Sequence, residues 1–330
     1  MHEVNPKSIP ESGISPIDSL ARVVNASPED LIVHEIDGGH MAYGRWIIDT
    51  PSGQKLFMKA HRPELFTDST REAHARAYLE KEQMMFEYLR SKQYPYLPAY
   101  SQLIDGQVLV MDAFSPDEEW YWRAVEAPNI DDYICSALEA FDALQSVELP
   151  PESHFFPKRI MPVYMEEGWD YINTDTVKEV QNRISSWSED FHPRTREIAH
   201  KLSPLIENFI EQGRSLYTVE QPLYLSHHDG RQANLAFNPQ LGARLIDMSW
   251  MDLGFKNADS TMLLIDLTKS DYDVSKYLAD HFNPDHALLL MGHYLGRSIV
   301  PTRDGDPTVR FHQLTSAVTA YELLTKVGYL

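Results

Sequence analysis

The sequence predicts an α+β protein in two parts, a small lobe of strands around one long helix followed by a larger, mainly helical lobe. Three observations carry that expectation. Between residues 30 and 114 strand-like segments alternate around a single long helical pattern, whereas beyond residue 130 helical periodicity dominates. The chain of 330 residues is also long for one compact core. The expected divisions are an N-terminal arm and short helix over 1–29, a first lobe over 30–114 and a second over 115–330.

Residues 1–15 hold prolines and small polar residues without a period and read as a loose arm. Ile17, Leu20, Ala21 and Val24 then recur at helical spacing. The stretch DGGHMAYGRWIIDT (37–50) gathers Gly38, Gly39 and Gly44 around a turn that enters an apolar strand, Trp46 to Ile48. Glycines let a backbone approach phosphates closely, but a plain hairpin turn is the first reading of so short a motif. In KLFMKA (55–60), Leu56, Met58 and Ala60 share one face and Lys55, Phe57 and Lys59 the other, because strand side chains alternate. One face is core; the other can meet a ligand.

Ser69 and Glu72 form an S-x-x-E capping box opening a helix that runs to about Ser91. At 100° per residue, Ala75, Tyr78, Leu79, Met85, Phe86 and Leu89 fall within about 60° of Glu82. Glu82 therefore sits inside the apolar stripe, while Glu80 and Glu87 fall on the polar side with Arg76 and Gln83. A buried carboxylate must be paired or neutralised. Glu82 is thus expected either to escape to solvent at the lobe edge or to pair with a cation, and Lys59 is the candidate.

Further along, PLYLS (222–226) is strand-like, NLAF (234–237) and ARLID (243–247) are short strands, and NPQLG (238–242) is the turn joining them. Antiparallel pairing of that hairpin brings Asn234 and Asp247 to its open end, beside the loop that carries Asp229. A carboxylate and an amide oxygen are hard ligands suited to Mg²⁺, and a further carboxylate is left to orient a hydroxyl. Phosphoryl transfer needs that division of labour.

Composition excludes several classes. Asp and Glu outnumber Lys and Arg by 49 to 29, a formal charge of −20 that repels nucleic acid and anionic membranes. The acidity serves either solubility or a cationic substrate. A single cysteine, Cys135, rules out an intramolecular disulfide framework and is expected as a buried small hydrophobe. No leader pattern and no apolar run long enough to span a bilayer is present, so a cytoplasmic protein is expected. Oligomeric state is left open.

The pattern His227-x-Asp229-xxxx-Asn234, followed by Ile246-Asp247, resembles the catalytic and metal-binding segments of the aminoglycoside phosphotransferase family, the small-molecule branch of the protein-kinase-like fold. Lys59 resembles the family's phosphate-binding lysine and Glu82 its helix partner. QVLVMDAF (107–114) resembles the last small-lobe strand and hinge, and ALEAFDALQSVELP (137–150) a helix near the start of the large lobe. The order is preserved over residues 35 to 265.

The resemblance implies a small antiparallel-sheet lobe that binds nucleotide and a helical lobe that carries catalysis and substrate. It implies an ATP- and Mg²⁺-dependent kinase acting on a hydroxyl of a small-molecule acceptor. Asp229 would be the catalytic base, with Asn234 and Asp247 as magnesium ligands. Lys59, oriented by Glu82, would hold the phosphates alongside Gly38, Gly39 and Gly44, and Met111, Asp112 and Ala113 would offer backbone groups to adenine. His227 and Asp259 would be structural supports. Three departures stand out: His228 replaces a usual Gly, Gln232-Ala233 replace a frequent Pro-Gly, and the glycine turn matches loosely. His228 is expected first as an exposed loop side chain and otherwise as a contact to the acceptor. Phe57 is an adenine roof or a core residue.

Other classes fit less well. A metal-dependent phosphohydrolase using His228-Asp229 needs that pair on a helix. A catalytically silent nucleotide-binding protein would have lost the base, the lysine or a metal ligand. A protein kinase would continue Phe-Gly after Asp247, where this chain reads MSWMDLG. The acidic and aromatic segments DEEWYW (117–122), MEEGWDY (165–171) and SDYDVSKY (270–277) lean toward a cationic amine or aminosugar, although each also reads as a solvated face or a core anchor.

Overall fold

The structure, a computed structural model, describes residues 15–36, 43–62, 69–216, 221–302 and 308–330. Gly38 and Gly39 lie outside the described residues, as does the Ser69 side chain of the expected capping box. The chain divides into two compact units, one of Met1–Ala140, Pro150–Pro157 and Ala233–Trp250 and one of Phe141–Leu149, Lys158–Gln232 and Met251–Leu330. The strands in chain order are β1 (Ile32–Glu35), β2 (Tyr43–Asp49), β3 (Lys55–His61), β4 (Ser101–Ile104), β5 (Val108–Asp112), β6 (Tyr224–Ser226), β7 (Leu235–Asn238), β8 (Gly242–Leu245) and β9 (Asp252–Gly254). The helices begin with α1 (Pro16–Val23), α2 (Ser69–Ser91), α3 (Ile130–Gln145), α4 (Ile160–Glu166), α5 (Thr174–Ser186) and α6 (Pro193–Leu202). They continue with α7 (Ile210–Ser215), α8 (Ala258–Lys269), α9 (Leu278–His281), α10 (Pro284–Ile299) and α11 (Thr308–Lys326).

The first unit is built on an antiparallel sheet in the order β1-β2-β3-β5-β4. Ser15 caps α1 by accepting from the Ile17 amide at 3.2 Å, and Pro16 enters the first turn with φ already helical. Leu20 and Ala21 of α1 pack on Ile48, Leu56, Met58 and Ala60, with Ile104, Val108 and Val110 in the same core. The alternation expected in β3 therefore holds: its apolar face lies under α1, and Lys59 is on the opposite face. The register pairs Gly44 with Ala60, Arg45 with Lys59 and Trp46 with Met58, so Gly44 and Trp46 belong to the α1 face.

Helix α2 spans the expected residues, and Ala75, Leu79, Glu82, Met85, Phe86 and Leu89 are fully buried on it. Its buried surface is wider than the periodicity implies, since Lys81 and Gln83 are buried too. The short turns Glu152–Phe155 and Met248–Trp250 both pack on α2, which gives the helix neighbours beyond the sheet. Cys135 is exposed on α3, where Ile134 and Leu138 take the buried side, so it is not the core residue expected.

The 234–247 hairpin forms as β7 and β8 with Leu235 opposite Leu245, and the Ile246 amide closes its open end on the Asn234 carbonyl at 3.1 Å. In the second, mainly helical unit α10 packs against α11, α5 and α4, and β6 pairs antiparallel with β9. Trp169 is a core anchor of this unit, its indole donating to the Leu288 carbonyl at 2.9 Å. Among the described residues no helix is long and apolar enough to cross a membrane.

Gly44 gives the first prediction. A Cβ there would stand 2.0 Å from the Trp46 ring, so Gly44→Ala must expel the indole from its place. Overpacking of this kind costs about 1–3 kcal/mol. A urea titration should show the midpoint falling with the slope unchanged. An unchanged midpoint would show that the ring does not rest on Gly44.

Candidate active site

Three segments distant in sequence meet around Lys59 in the first unit. Its ammonium lies 2.7 Å from the Glu82 carboxylate of α2 and 3.1 Å from Asp247 Oδ1, just past β8. Lys59 is only 5% exposed and Glu82 is fully buried, whereas the Asp247 side chain is 39% exposed. Burial alone would push the lysine toward its neutral form, but Asp247 and Glu82 outweigh it and hold the ammonium above the ordinary lysine range. The residue thus stays charged in a place where an unpaired cation could not.

Asp247 sits at φ +58°, a left-handed conformation that Asp tolerates better than most side chains, and Ser249 Oγ donates to its Oδ1 at 2.9 Å. Tyr43 stacks beneath this cluster. The Lys59 ammonium is 5.3 Å from its ring centre and the Arg45 guanidinium 5.6 Å, while its hydroxyl donates to the Ala75 carbonyl of α2 at 2.7 Å. Burial pushes the Tyr43 hydroxyl pKa up.

Asn234 and Asp247 flank the open end of one hairpin, supplying one amide oxygen and one carboxylate. Among the described residues no three His, Cys, Asp or Glu side chains converge as a metal cage. One amide oxygen and one carboxylate are donors of the kind Mg²⁺ takes, with water and phosphate completing its shell. At the end of β5, the Ala113 amide donates to the Lys55 carbonyl at 3.1 Å and the Asp112 amide to the Tyr100 carbonyl at 3.3 Å. Asp112 also accepts from the Tyr100 amide at 2.7 Å, so this stretch is fixed to the sheet on both sides.

The loop after β6 belongs to the second unit. Asp229 is held by a two-point ion pair with Arg231, Nε to Oδ1 at 2.5 Å and Nη2 to Oδ2 at 2.8 Å. That pairing raises the guanidinium pKa further, with Asp229 the main cause. Asp259, buried at the start of α8, accepts from the backbone amides of His227 at 2.7 Å and His228 at 2.8 Å. His227 Nδ1 in turn accepts from the Asp229 amide at 3.2 Å. Both residues expected as supports thus bond to the loop backbone itself.

His228 is 2% exposed, not the exposed loop side chain expected first. Its backbone is left-handed at φ +60°, its ring nitrogen Nε2 lies 3.0 Å from the Leu253 carbonyl of β9, and Tyr164 of α4 donates to its carbonyl at 2.8 Å. Beneath it lies a layer of Tyr164, His286 and His293, with Tyr164 ring centres 6.2 Å from His286 and 4.8 Å from His293. Neither ring nitrogen of His286 has a hydrogen-bond partner among the described residues, and burial, then the neighbouring His228, push its pKa down. Burial, followed by Arg297, Lys158 and Arg310, pushes His293 down to about 3.

Sequence reasoning missed Arg231, Tyr43, Arg45, Ser249 and Asp252. Asp252 is buried in β9, 2.7 Å from Arg159 Nε and bonded to the Ile160 amide at the start of α4. Arg231 was legible as a basic residue two places after Asp229. The other four depend on strand register and chain folding. Gly44 is accounted for by the Trp46 ring that fills its missing Cβ position.

No protein-family profile and no curated protein matches the chain by sequence. In structure it is similar to the choline kinase LicA from Streptococcus pneumoniae, at 12% identity over 93% of this chain and 99% of that one, with a TM-score of 0.54. It is also similar to an aminoglycoside phosphotransferase from Alicyclobacillus acidocaldarius, at 9% identity over 90% and 93% of the two chains and a TM-score of 0.52. LicA in complex with AMP aligns at 12% identity over 92% and 98%, with a TM-score of 0.52. The chain has the α+β, protein-kinase-like fold that these proteins share, as the motifs led one to expect.

The buried histidines set a pH dependence. A histidine whose folded pKa lies below the unfolded value near 6.5 is neutral in the fold, so its contribution is intact above about pH 6.5 and is lost as pH falls toward the folded value. For His293, with a folded value of about 3, the loss by pH 5 is about 2 kcal/mol. Melting curves should show stability falling between pH 7 and pH 5, and His293→Gln should flatten that slope. An identical slope in the variant would show that His293 is not held neutral.

Proposed function

We propose that this chain is an ATP- and Mg²⁺-dependent phosphotransferase that moves the γ-phosphoryl group to a hydroxyl of a small molecule. The observation that carries the reading is Lys59, buried and charged between Glu82 at 2.7 Å and Asp247 at 3.1 Å. One carboxylate suffices to neutralise a structural lysine. Two, one of them 39% exposed beside an amide oxygen donor, suit a lysine fixed for phosphate and a carboxylate available to a metal. Mg²⁺ held by Asn234 and Asp247 would supply charge neutralisation at the phosphates.

In this reading Asp229 orients the acceptor hydroxyl and takes its proton as the oxygen–phosphorus bond forms and the bond from the γ-phosphorus to the bridging oxygen breaks, releasing ADP. The Asp229 side chain is 26% exposed, so an acceptor can reach it beside the ion pair with Arg231. Asp259 and His227 keep the loop in shape, Lys59, oriented by Glu82, holds the phosphates, and the segment Met111–Ala113 meets adenine.

The choline kinase and the aminoglycoside phosphotransferase of like fold support a small-molecule acceptor, and the AMP complex supports an adenine nucleotide. Amine-bearing alcohols and aminosugars come first among acceptors, because acidic and aromatic segments suit a cation.

ATP with Mg²⁺ should raise the melting temperature, since a ligand at a hundred times its Kd adds about 2.7 kcal/mol to the native state. No stabilisation under any condition would remove the nucleotide reading. Across a panel of hydroxylated acceptors, Asp229→Asn should lower turnover by roughly 10²–10⁴ while ATP stabilisation persists. Undiminished turnover would sink Asp229 as the base. Asp247→Ala should lose the Mg²⁺-dependent part of the stabilisation with the fold intact. Stabilisation by ATP without turnover of any acceptor would favour a silent nucleotide-binding protein.

A further inference from the structure

We propose that Arg45 is a second phosphate-binding cation beside Lys59, which makes the site selective for nucleotides by the number of phosphates they carry. The proposal rests on the nucleotide reading above and extends it to a residue that the sequence motif does not contain. The register places Arg45 directly opposite Lys59 on neighbouring strands, and such partners point to the same face. That face is not the one packed under α1, whose core takes Ile48, Leu56, Met58 and Ala60.

Two like charges directly opposite on an antiparallel pair repel each other. Here both are gathered at one aromatic ring, with Arg45 5.6 Å and Lys59 5.3 Å from the centre of Tyr43. Arg45 Nη1 also donates to the Tyr43 carbonyl at 3.1 Å, and the Tyr43 hydroxyl is tied to α2. The arrangement holds two cations on one anchored platform.

The charges explain why a second cation belongs there. Lys59 faces both Glu82 and Asp247, so lysine and carboxylates together sum to a single negative charge. Such a cluster repels a polyphosphate. Arg45 brings the sum to zero, and its partly buried guanidinium feels the fields of Asp247 and Glu82. A guanidinium binds phosphate through two parallel N–H donors, which a lysine cannot do. A nucleoside gives it nothing to bind, and a monophosphate can be met by Lys59 alone. A triphosphate is long enough to engage both.

Titration calorimetry with ATP, ADP, AMP and adenosine, each with Mg²⁺, tests this in the wild type, Arg45→Gln and Arg45→Lys. Losing charge-assisted hydrogen bonds should weaken ATP binding about tenfold or more in Arg45→Gln. Adenosine binding should change by less than about twofold, with AMP between, and Arg45→Lys should recover part of the loss. Equal weakening of ATP and adenosine would assign Arg45 a structural role and overturn the proposal. Unchanged ATP binding in Arg45→Gln would overturn it too, while leaving the nucleotide reading standing. A wild type that binds none of the four ligands would defeat both. If Arg45→Gln fails to fold, Arg45→Lys carries the test, and an ATP affinity equal to wild type together with equal discrimination against AMP would count against a bidentate role.

Discussion

Lys59 on a strand and Glu82 on a helix are both buried charges, and neither could occupy its place without the other. Removing one partner of such a pair strands the remaining charge in a poorly solvated site, typically at about 3–5 kcal/mol. The pair therefore fixes the rotation of α2 against β3, because only one helix phase points Glu82 at the ammonium 2.7 Å away. The same lysine reaches Asp247 at 3.1 Å, which ties the β7–β8 hairpin to the sheet within the first unit. Packing around α2 by the Met248–Trp250 turn follows from that tie. A site interaction and a folding constraint are here one contact.

The loop bearing Asp229 is organised differently, around backbone amides. One buried carboxylate, Asp259, accepts from two successive amides, and that geometry turns the chain sharply enough to leave His228 left-handed. For a residue with a Cβ this conformation costs roughly 1–2 kcal/mol, which is why glycine is the usual occupant of such a position. His228 offsets the strain with its ring on the Leu253 carbonyl and its own carbonyl on Tyr164. The ring fits because residue 254 is glycine: a Cβ there would stand 3.0 Å from His228 Cε1 and 2.9 Å from Ser226 Cβ. An unusual residue in the loop is thus matched by a small one on the neighbouring strand.

This contrast explains what could be read from the sequence. Glu82 was legible because helical phase converts position into direction, and the partner of a buried carboxylate has to be a cation. The strand alternation around Lys59 and the hairpin carrying Asn234 and Asp247 were legible for the same reason: each follows from a local period or a turn. His228 was not, because its burial depends on β9 and α4, distant segments with no local signature. Arg45 and Tyr43 were hidden by register, since a single-residue slip would send both to the other face. Cys135 was misjudged because its burial was inferred from residue type and not from its phase on α3.

Net charge is the least informative number once the site is resolved. The chain carries −20, yet several buried or half-buried carboxylates are matched with cations: Glu82 with Lys59, Asp229 with Arg231, Asp252 with Arg159 and Asp266 with Lys269. Paired charges present little net field to an approaching ligand. The net charge of the chain therefore says little about the field at these particular residues. Two of the acidic-aromatic segments also place their tryptophans, Trp120 and Trp169, inside the protein. In the proposed reading the charge preference of an acceptor is also set locally beside Asp229, by Arg231 and by Tyr294, whose hydroxyl feels both members of that ion pair.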